Sequence, residues 1–489
     1  MITKEKLQSE FSLHRLIIFS AILLIVLLGA KYNLILGIGL ALLPTIFYVL
    51  VSILNNPFLA FLWVNILNYF IMGIVRYIPT LQGGIIMDLT ITISFIVFIL
   101  YVRLNNKKIE WKRSVNLLNL SILIWLIYCI AQIFNPESVS VAAWLTGVRG
   151  EAVYFFFIVL MTQLICTKYK HMRAYVLIWS ILVLLAVLKA LMQKFVGFDG
   201  AETRWLYVDG FARTHILQTT IRYFSFFTDA ANFGSAMGYS MVFFGIVAFI
   251  QKSLIEKFYY LLVAMMAGYG MMISGTRTAM VVPFVALFVY ILLRKDFKKI
   301  IYMSVLLIGG VIFFKYTTIL NGNAEIRRMR SAFHPENDPS YLVRIENQQK
   351  MKVYMANRYF GVGIGLGGGK AKRYAPGAYM SQIATDSWFV MIWVETGIVG
   401  LLLHILTLLM ILAGGAYILL FKIRDDDLRT YLMAFYAGLT GMIAASYANE
   451  IFGQLPNGFT IFTGMAFVYL GPYYDKELSE EKQKNLNYE

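Results

Sequence analysis

Long apolar runs separated by short polar stretches make up most of this chain. The runs are about 17–25 residues long, the length at which an α-helix crosses the hydrocarbon core of a bilayer, and about fourteen of them recur. They begin near Leu16, Leu34, Phe58, Ile86, Val115, Ala152, Tyr175, Ala230, Phe258, Ala279, Ile300, Trp388, Tyr431 and Phe459. The pattern predicts an all-α polytopic membrane protein with about 12–14 transmembrane helices and one large, partly helical outer loop.

Basic residues between the runs predict how the helices are oriented. Clusters of Lys and Arg fall at every second junction, over residues 103–113, 168–173, 294–299 and 422–429. Because positively charged loops stay in the cytoplasm, we expect these clusters and both termini on that side. The outer face then receives the other polar segments, which cover residues 135–151, 196–228, 274–277, 315–386 and 449–458.

Five segments of the chain are predicted from this pattern. They are N-terminal transmembrane helices over residues 1–220, core transmembrane helices over 221–314, the outer loop over 315–386, C-terminal transmembrane helices over 387–474 and a cytoplasmic tail over 475–489. An outer loop of roughly seventy residues usually carries function. Within it we expect a helix that has Pro339 at its first position and presents Arg344.

Composition narrows the class of protein further. Of the 489 residues, 59% are hydrophobic and only 14% are charged, which is far from a soluble protein. The net charge of +16 does not indicate nucleic-acid binding, because the Lys and Arg residues lie between apolar runs. No spacing of His, Cys or carboxylates matches a metal site, so we expect no metal. The glycine-rich stretch 361–374 lacks the residues of a Walker A loop and predicts a flexible or tightly turning hinge; we expect no cofactor.

Two predicted helix starts on the outer face carry arginines. Arg277 follows Ser274 and precedes an apolar run, and either Ser274 or Thr276 is expected to cap that helix. A helix N-terminus beside a guanidinium suits a phosphate group, although an arginine at this depth also occurs as a snorkelling interfacial residue. Arg222 stands in the same relation to a helix that Thr228 or Asp229 is expected to cap.

A third outer helix start carries a carboxylate instead. Asp386 lies just before the apolar run that begins at Trp388. It can serve as the N-cap of that helix, or it can act as a general base that accepts the proton of an attacking hydroxyl. The two roles are compatible.

Several outer motifs follow one another over about residues 220–420. In chain order they are Arg222 with FTDAANFGSAM, SGTRTAM, SYLVRIENQ, GVGIGLG and TDSWFVMIWVETGIVGLLL. In this combination they resemble the O-antigen polymerase and O-antigen ligase superfamily of bacterial envelope glycan enzymes. The resemblance implies a metal-independent glycosyltransferase of the inner membrane whose active site faces the periplasm. Its donor would be an oligosaccharide linked to undecaprenyl pyrophosphate.

The same resemblance implies roles for individual residues. Asp386 would be the general base, and Arg222 and Arg277 would be catalytic. The implied diphosphate- and glycan-binding residues are Arg222, Arg277, Arg344, Ser274, Thr276 and Asp229. Besides the donor and membrane lipid, a chain-length regulator and a flippase are compatible partners.

One departure from the family pattern favours a polymerase. Ligases of this superfamily typically carry a His, commonly followed by Asn, where this chain has Thr385-Asp386-Ser387. We therefore expect a polymerase of O-antigen, capsule or exopolysaccharide, with an O-antigen ligase or a protein O-oligosaccharyltransferase as the alternative. From another class, a lipid-linked glycan flippase would need ionisable residues near the midplane, for which Asp88, Lys189 and Glu395 are the candidates.

Overall fold

The structure, a computed structural model, describes residues 52, 55–216, 221–294, 297–333 and 339–486. This part of the chain is helical, and its only strand-like pairing is an isolated bridge between Ile216 and Ile221. The predicted all-α class is confirmed. The spans predicted near Leu16 and Leu34 lie outside the described residues.

Every other predicted span coincides with a helix. We number the longer helices of the described residues α1 (Pro57–Tyr77), α2 (Gly83–Leu104), α3 (Leu117–Ala131), α4 (Val141–Ile165), α5 (Tyr169–Phe195), α6 (Ala230–Ala248), α7 (Leu254–Ile273), α8 (Val281–Leu293), α9 (Phe297–Tyr316), α10 (Ala324–Arg330), α11 (Pro339–Tyr354), α12 (Trp388–Phe421), α13 (Asp426–Ala445) and α14 (Asn457–Leu486).

Seven of these helices are long and apolar enough to cross a membrane by length and composition. They are α1, α2, α3 with the turn that follows it, α4, α5, α6 and α12. Five further helices lie at predicted spans but do not meet both the length and the composition expected of a membrane span: α7, α8, α9, α13 and α14. Of these, α8 and α9 are shorter apolar helices. The chain is a multi-pass membrane protein, and the described residues give seven candidate spans where the sequence predicts 12–14 in the whole chain.

The chain divides into two compact units. Residues 94–108 belong to one, together with part of the N-terminal region, and residues Phe61–Ile93 and Ile109–Glu489 form the other. Every side-chain contact described below lies within the second unit. The five predicted segments of the chain stay a prediction.

Helix α6 is the most enclosed candidate span, with 89% of its apolar window buried. Small residues on α6 let neighbouring backbones approach, as is common between membrane helices. A Cβ added at Gly234 would lie 2.3 Å from Ser274 Oγ, and one at Gly238 would lie 3.1 Å from the carbonyl oxygen of Ala279. This close packing brings the outer start of α6 next to the segment that carries Arg277.

Two of the predicted cytoplasmic clusters meet each other and the C-terminal helix. Arg113 Nη1 donates to the carbonyl of Thr167 (2.9 Å), and the backbone N–H of Tyr169 donates to Glu477 Oε2 (2.8 Å). Residues 475–486 of the predicted tail are part of α14, and the last three residues lie outside the described residues. These contacts place basic loops together at one set of helix ends, as the charge pattern requires.

Candidate active site

Three helix mouths on the predicted outer face hold most of the predicted site residues. The first mouth is residues 221–232 at the start of α6, the second is residues 274–280 before α8, and the third is residues 384–390 at the start of α12. Helix α11, which begins at Pro339 as predicted, contributes Arg344. It ends at Tyr354, and its Asn347 Nδ2 donates to the carbonyl of Ala384 in the third mouth (3.5 Å).

Asp229 caps the first mouth, as predicted. Its Oδ1 accepts hydrogen bonds from the backbone N–H groups of Ala231 (2.7 Å) and Asn232 (2.9 Å), and its Oδ2 accepts from Asn232 Nδ2 (2.9 Å). Both carboxylate oxygens therefore serve the start of α6. A direct contact of Asp229 with substrate stays a prediction, whereas its capping role is a structural one.

A buried arginine fixes the approach to the first mouth. Arg76, in the last turn of α1, donates to the carbonyls of Ser225 (2.8 Å) and Phe227 (2.5 Å), and its guanidinium lies 4.4 Å from the ring centroid of Trp205. Nearby, burial lowers the pKa of His215 to about 4. His215 Nε2 is therefore neutral and accepts from the backbone N–H of Ala230 (3.3 Å).

Arg222 links the first and second mouths. Its Nη1 donates to the carbonyl of Thr214 (2.8 Å), and its Nη2 donates to Thr276 Oγ1 (2.9 Å). Its Nε is buried and has no hydrogen-bond partner among the described residues. An unpaired buried N–H of a charged group is costly, so Arg222 retains an unused donor at this junction.

Side-chain capping of the second mouth by Ser274 or Thr276 was predicted, and this prediction is wrong. Thr276 occupies the N-cap position of the short 3₁₀ helix Arg277–Met280, but its side chain makes no capping bond. Its hydroxyl instead donates to the carbonyl of Ala230 (3.0 Å) and accepts from Arg222. Ser274 ends α7 rather than starting the next helix. Tertiary contacts thus take the hydroxyl that a local cap would have used.

Arg277 is the first residue of that 3₁₀ helix and is half-buried. Its Nη1 lies 3.3 Å from Ser331 Oγ, just after α10. From α10, Arg328 Nε donates to the carbonyl of Gly275 (2.6 Å). The second mouth is therefore lined by arginines from two separate parts of the chain.

The third mouth is capped by Ser387 and not by Asp386. Ser387 Oγ accepts from the backbone N–H of Val390 (3.4 Å). Asp386 has a φ of +52°, whereas an N-cap residue needs extended backbone. Its half-buried carboxylate accepts no hydrogen bond from the described residues. Burial, aided by the charge of Glu450 and opposed by that of Arg344, raises the pKa of Asp386.

The positive charges of Arg277 and Arg344 act on Arg222, and that of Arg344 also acts on Asp386. Burial lowers the pKa of Arg222, and the positive charges of Arg277 and Arg344 lower it further, against the opposing charge of Asp229. Arg344 also acts on Asp386. Arg277 and Arg344 therefore each lie within electrostatic reach of Arg222, and Arg344 lies within electrostatic reach of Asp386.

A loop that was not singled out in the sequence connects all three mouths. We call residues 446–457 the bridging loop. Leu455 O accepts from Thr228 Oγ1 in the first mouth (2.8 Å), and Asn449 Nδ2 donates to Thr278 Oγ1 in the second. The carbonyl of Ser446 accepts from the backbone N–H of Trp388 in the third (3.0 Å). Sequence reasoning missed these contacts, and Arg328, Lys370 and Glu450 with them, because their partners are far away along the chain.

The glycine-rich stretch is an anchor and not a flexible hinge. Gly365 and Gly367 donate their backbone N–H groups to the Glu395 carboxylate (2.8 and 3.1 Å). Gly365 has a φ of +79°, and a Cβ there would lie 2.2 Å from the carbonyl oxygen of Ala143. The tight turn predicted from the glycines is confirmed. The buried packing of residues 361–368 excludes the flexible alternative.

Within the described residues, no group of three or more His, Cys, Asp and Glu side chains is placed to hold a metal ion. Among the described residues, the ionisable groups at the three mouths include arginines, the capping Asp229, and Asp386 with Glu450 and Lys370. Such a set can bind an anion and accept a proton.

The fold and these mouths define a class first: a multi-pass membrane protein with a cluster of arginines at neighbouring helix ends. Residues 261–405 match the model of a protein family described as O-antigen ligase. Over this range, which is under a third of its length, the chain is similar to an O-antigen ligase domain. A comparison with curated proteins finds no match. The matched range contains Arg277, Arg344 and Asp386, whereas Arg222 and the bridging loop lie outside it.

Proposed function

We propose that this protein is a glycan polymerase of the bacterial inner membrane. It transfers an oligosaccharide from undecaprenyl pyrophosphate onto another lipid-linked repeat unit at the periplasmic face, in O-antigen, capsule or exopolysaccharide synthesis. The observation that carries the proposal is the gathering of Arg222, Arg277 and Arg344 with Asp386, from four separate segments, at neighbouring helix mouths. Of the described side chains, these provide both the charge and the base that such a transfer needs.

The proposed reaction is a single displacement at the first sugar of the donor. A hydroxyl oxygen of the acceptor repeat attacks the anomeric carbon and forms the new glycosidic bond. The bond between that carbon and the diphosphate oxygen breaks, and undecaprenyl diphosphate leaves with the electron pair. Asp386 takes the hydroxyl proton. A single displacement inverts the configuration at the anomeric carbon.

The arginines are suited to the leaving group. Negative charge grows on the diphosphate as its bond to the sugar breaks, and guanidinium groups stabilise such charge with paired hydrogen bonds. In the free protein, the positive charges of Arg277 and Arg344 both repel the guanidinium of Arg222. A bound diphosphate relieves this repulsion, so the site favours a multiply charged anion over a single carboxylate.

Asp386 is suited to the acceptor. Its carboxylate does not cap α12, so it remains available for a hydroxyl group. Its raised pKa makes it a stronger base than an exposed aspartate, while Arg344 limits the shift. A base of this kind positions the acceptor oxygen and removes its proton in the same step.

The family description favours an O-antigen ligase as the second candidate. A ligase would use the same donor and the same arginines but another acceptor. A protein O-oligosaccharyltransferase is a variant of that alternative. The flippase is not favoured by a specific observation: Asp88 pairs with Arg149 (3.1 Å), Lys189 pairs with Asp199 (2.9 Å), and Glu395 holds the glycine turn.

The acceptor test separates these candidates. Purified protein in lipid vesicles is given its lipid-linked repeat unit alone, and the products are resolved by size. We expect a ladder of longer lipid-linked glycans. No ladder with the repeat unit alone, but transfer once lipid A or a protein acceptor is added, would mean a ligase or an oligosaccharyltransferase. No transfer with any acceptor would contradict the assignment to glycan transfer.

A further inference from the structure

Glu450 of the bridging loop has no role in the reaction outlined above, yet it lies between two elements of the site. Its Oε1 accepts a hydrogen bond from Thr385 Oγ1 (2.5 Å), and its Oε2 pairs with Lys370 Nζ (2.5 Å). Its side chain is only 18% exposed. A carboxylate so enclosed keeps both oxygens in place through these two partners.

Thr385 is the residue directly before Asp386. The backbone N–H of Trp388, two residues after Asp386, donates to Ser446 O at the start of the same loop. The bridging loop therefore holds the third mouth on both sides of Asp386. Between these two contacts Asp386 adopts a φ of +52°, a conformation that a non-glycine residue keeps only when its surroundings impose it.

Lys370 belongs to the short 3₁₀ helix Gly368–Arg373, which follows the glycine turn. Gly368 has a φ of +71°, and a Cβ there would lie 2.9 Å from Thr385 Oγ1. The backbone at Gly368 thus approaches Thr385 closely, and Lys370 reaches Glu450 from the same short helix. Three stretches of chain converge on one hydroxyl group.

We propose that Glu450 is a positioning residue for the transfer reaction, which holds Thr385 by its Oε1 and thereby fixes the carboxylate of Asp386 for the acceptor hydroxyl. The inference rests on the proposed function, because it concerns the base of that reaction. Lys370 orients the Glu450 carboxylate through their ion pair. The charge of Glu450 has a second effect, since it acts directly on Asp386.

The charged groups that act on Asp386 come from two elements. Arg344 of α11 lowers the pKa of Asp386, and Glu450 of the bridging loop raises it, in addition to burial. Lys370 acts through its pair with Glu450. Loss of the Glu450 charge therefore lowers the pKa of Asp386, and the base form becomes available at lower pH.

Two substitutions separate the charge of Glu450 from its hydrogen bond. Glu450→Gln keeps an oxygen that can accept from Thr385 but removes the charge. We expect the acidic limb of its pH profile for kcat/KM to move to lower pH. Thr385→Val removes the hydrogen bond and keeps the charge, so kcat should fall about 10- to 100-fold, as expected for a misplaced base. Thr385→Ser should restore the rate because it restores the hydroxyl.

Glu325→Gln is the matched control, since Glu325 also pairs with a lysine, Lys194 (2.6 Å), and its side chain is 19% exposed. It should leave the rate and the pH profile unchanged. Folding of each variant is checked by gel filtration and thermal unfolding in detergent. If wild type polymerises while Thr385→Val keeps the wild-type rate and Glu450→Gln keeps the wild-type acidic limb, this inference alone is overturned. A wild type without transfer overturns the proposed function and this inference together.

Discussion

Arg277 illustrates how a charged residue comes to lie at the edge of an apolar run. It begins a 3₁₀ helix at the second mouth, its guanidinium reaches Ser331, and its charge acts on the guanidinium of Arg222. A snorkelling arginine would need only the membrane surface. An arginine placed so close to other arginines indicates a site for an anion with more than one charge.

Arg277→Ala should reduce kcat strongly, because it removes charge from the departing diphosphate. Loss of one such group typically costs about 10²–10³-fold in kcat. Arg277→Lys should recover part of the rate, since lysine keeps the charge but not the paired donors. The initial rate of chain extension in vesicles measures both.

The control for Arg277 is an arginine of the neighbouring helix α10. Arg327 is exposed and donates to the carbonyl of Asn321 (3.0 Å). Arg327→Ala should extend chains at the wild-type rate. An Arg277→Ala protein that matched this control would remove Arg277 from the site.

Asp386→Asn should lose about 10²–10⁴-fold in rate, the usual contribution of a general base. Asparagine tolerates positive φ, so the third mouth should keep its fold. In the wild type, the reaction needs ionised Asp386, so the rate should rise with pH. Since burial raises the pKa of Asp386, that rise should lie above the ordinary range of an aspartate. A wild-type pH profile in Asp386→Asn would show that another group is the base.

The sequence predicted which residues lie at the helix starts more readily than what each of them does there. The Asp229 cap follows from local sequence, because one acidic residue precedes an apolar helix. At the third mouth, Thr385, Asp386 and Ser387 can all cap, and the choice depends on backbone angles that the bridging loop imposes. The sequence alone could not exclude Asp386, since nothing local requires its positive φ.

Among the helices and loops, the glycine turn of residues 361–368 connects α4, α12 and the third mouth. Residues 361–368 pack on α4 and on the first part of α12, and they place Lys370 near the third mouth. The glycines themselves predicted a tight turn. The Glu395 carboxylate that holds the turn was not predictable, because an acidic residue inside an apolar run has no local partner.

Gly365→Ala should destabilise the protein. The new Cβ would lie 2.2 Å from the Ala143 carbonyl oxygen at a φ of +79°. Such a conformation costs a non-glycine residue on the order of 1–3 kcal/mol before any clash is counted. Thermal unfolding in detergent measures the loss.

A second alanine substitution in the same stretch provides the comparison. A Cβ at Gly369 meets nothing within 4 Å, so Gly369→Ala should unfold at the wild-type temperature. Equal unfolding temperatures for the two variants would show that the turn is not a packed anchor.

For the whole molecule, the charge pattern and the contacts between helix ends predict the same orientation in the membrane. Basic clusters meet at one set of helix ends, through contacts such as Arg113 with Thr167, and the three mouths meet through the bridging loop. Apolar runs predicted the long apolar helices of the described residues, but not α10 or the short helical turns. It could not predict that three mouths and α11 would converge, because helix order in space depends on packing between distant small residues such as Gly234 and Ser274.

Cysteine labelling tests the orientation. Glu346 on α11 and Asp426 at the start of α13 have side chains that are 62% and 80% exposed. In intact cells, a membrane-impermeant maleimide should label Glu346→Cys, and Asp426→Cys only after the membrane is opened. Both native cysteines are buried and should give little background. Labelling of Asp426→Cys in intact cells would reverse the assigned orientation.

In the proposed reaction, the arginines and Asp386 form one catalytic centre for glycan transfer. The most direct measurement is the initial rate at which purified protein in vesicles releases undecaprenyl diphosphate from its lipid-linked repeat unit. We expect one diphosphate lipid for each new linkage in wild type and in Glu325→Gln, and losses of at least about 10²-fold in Arg277→Ala and Asp386→Asn. Release at the wild-type rate from both of these variants would contradict the account.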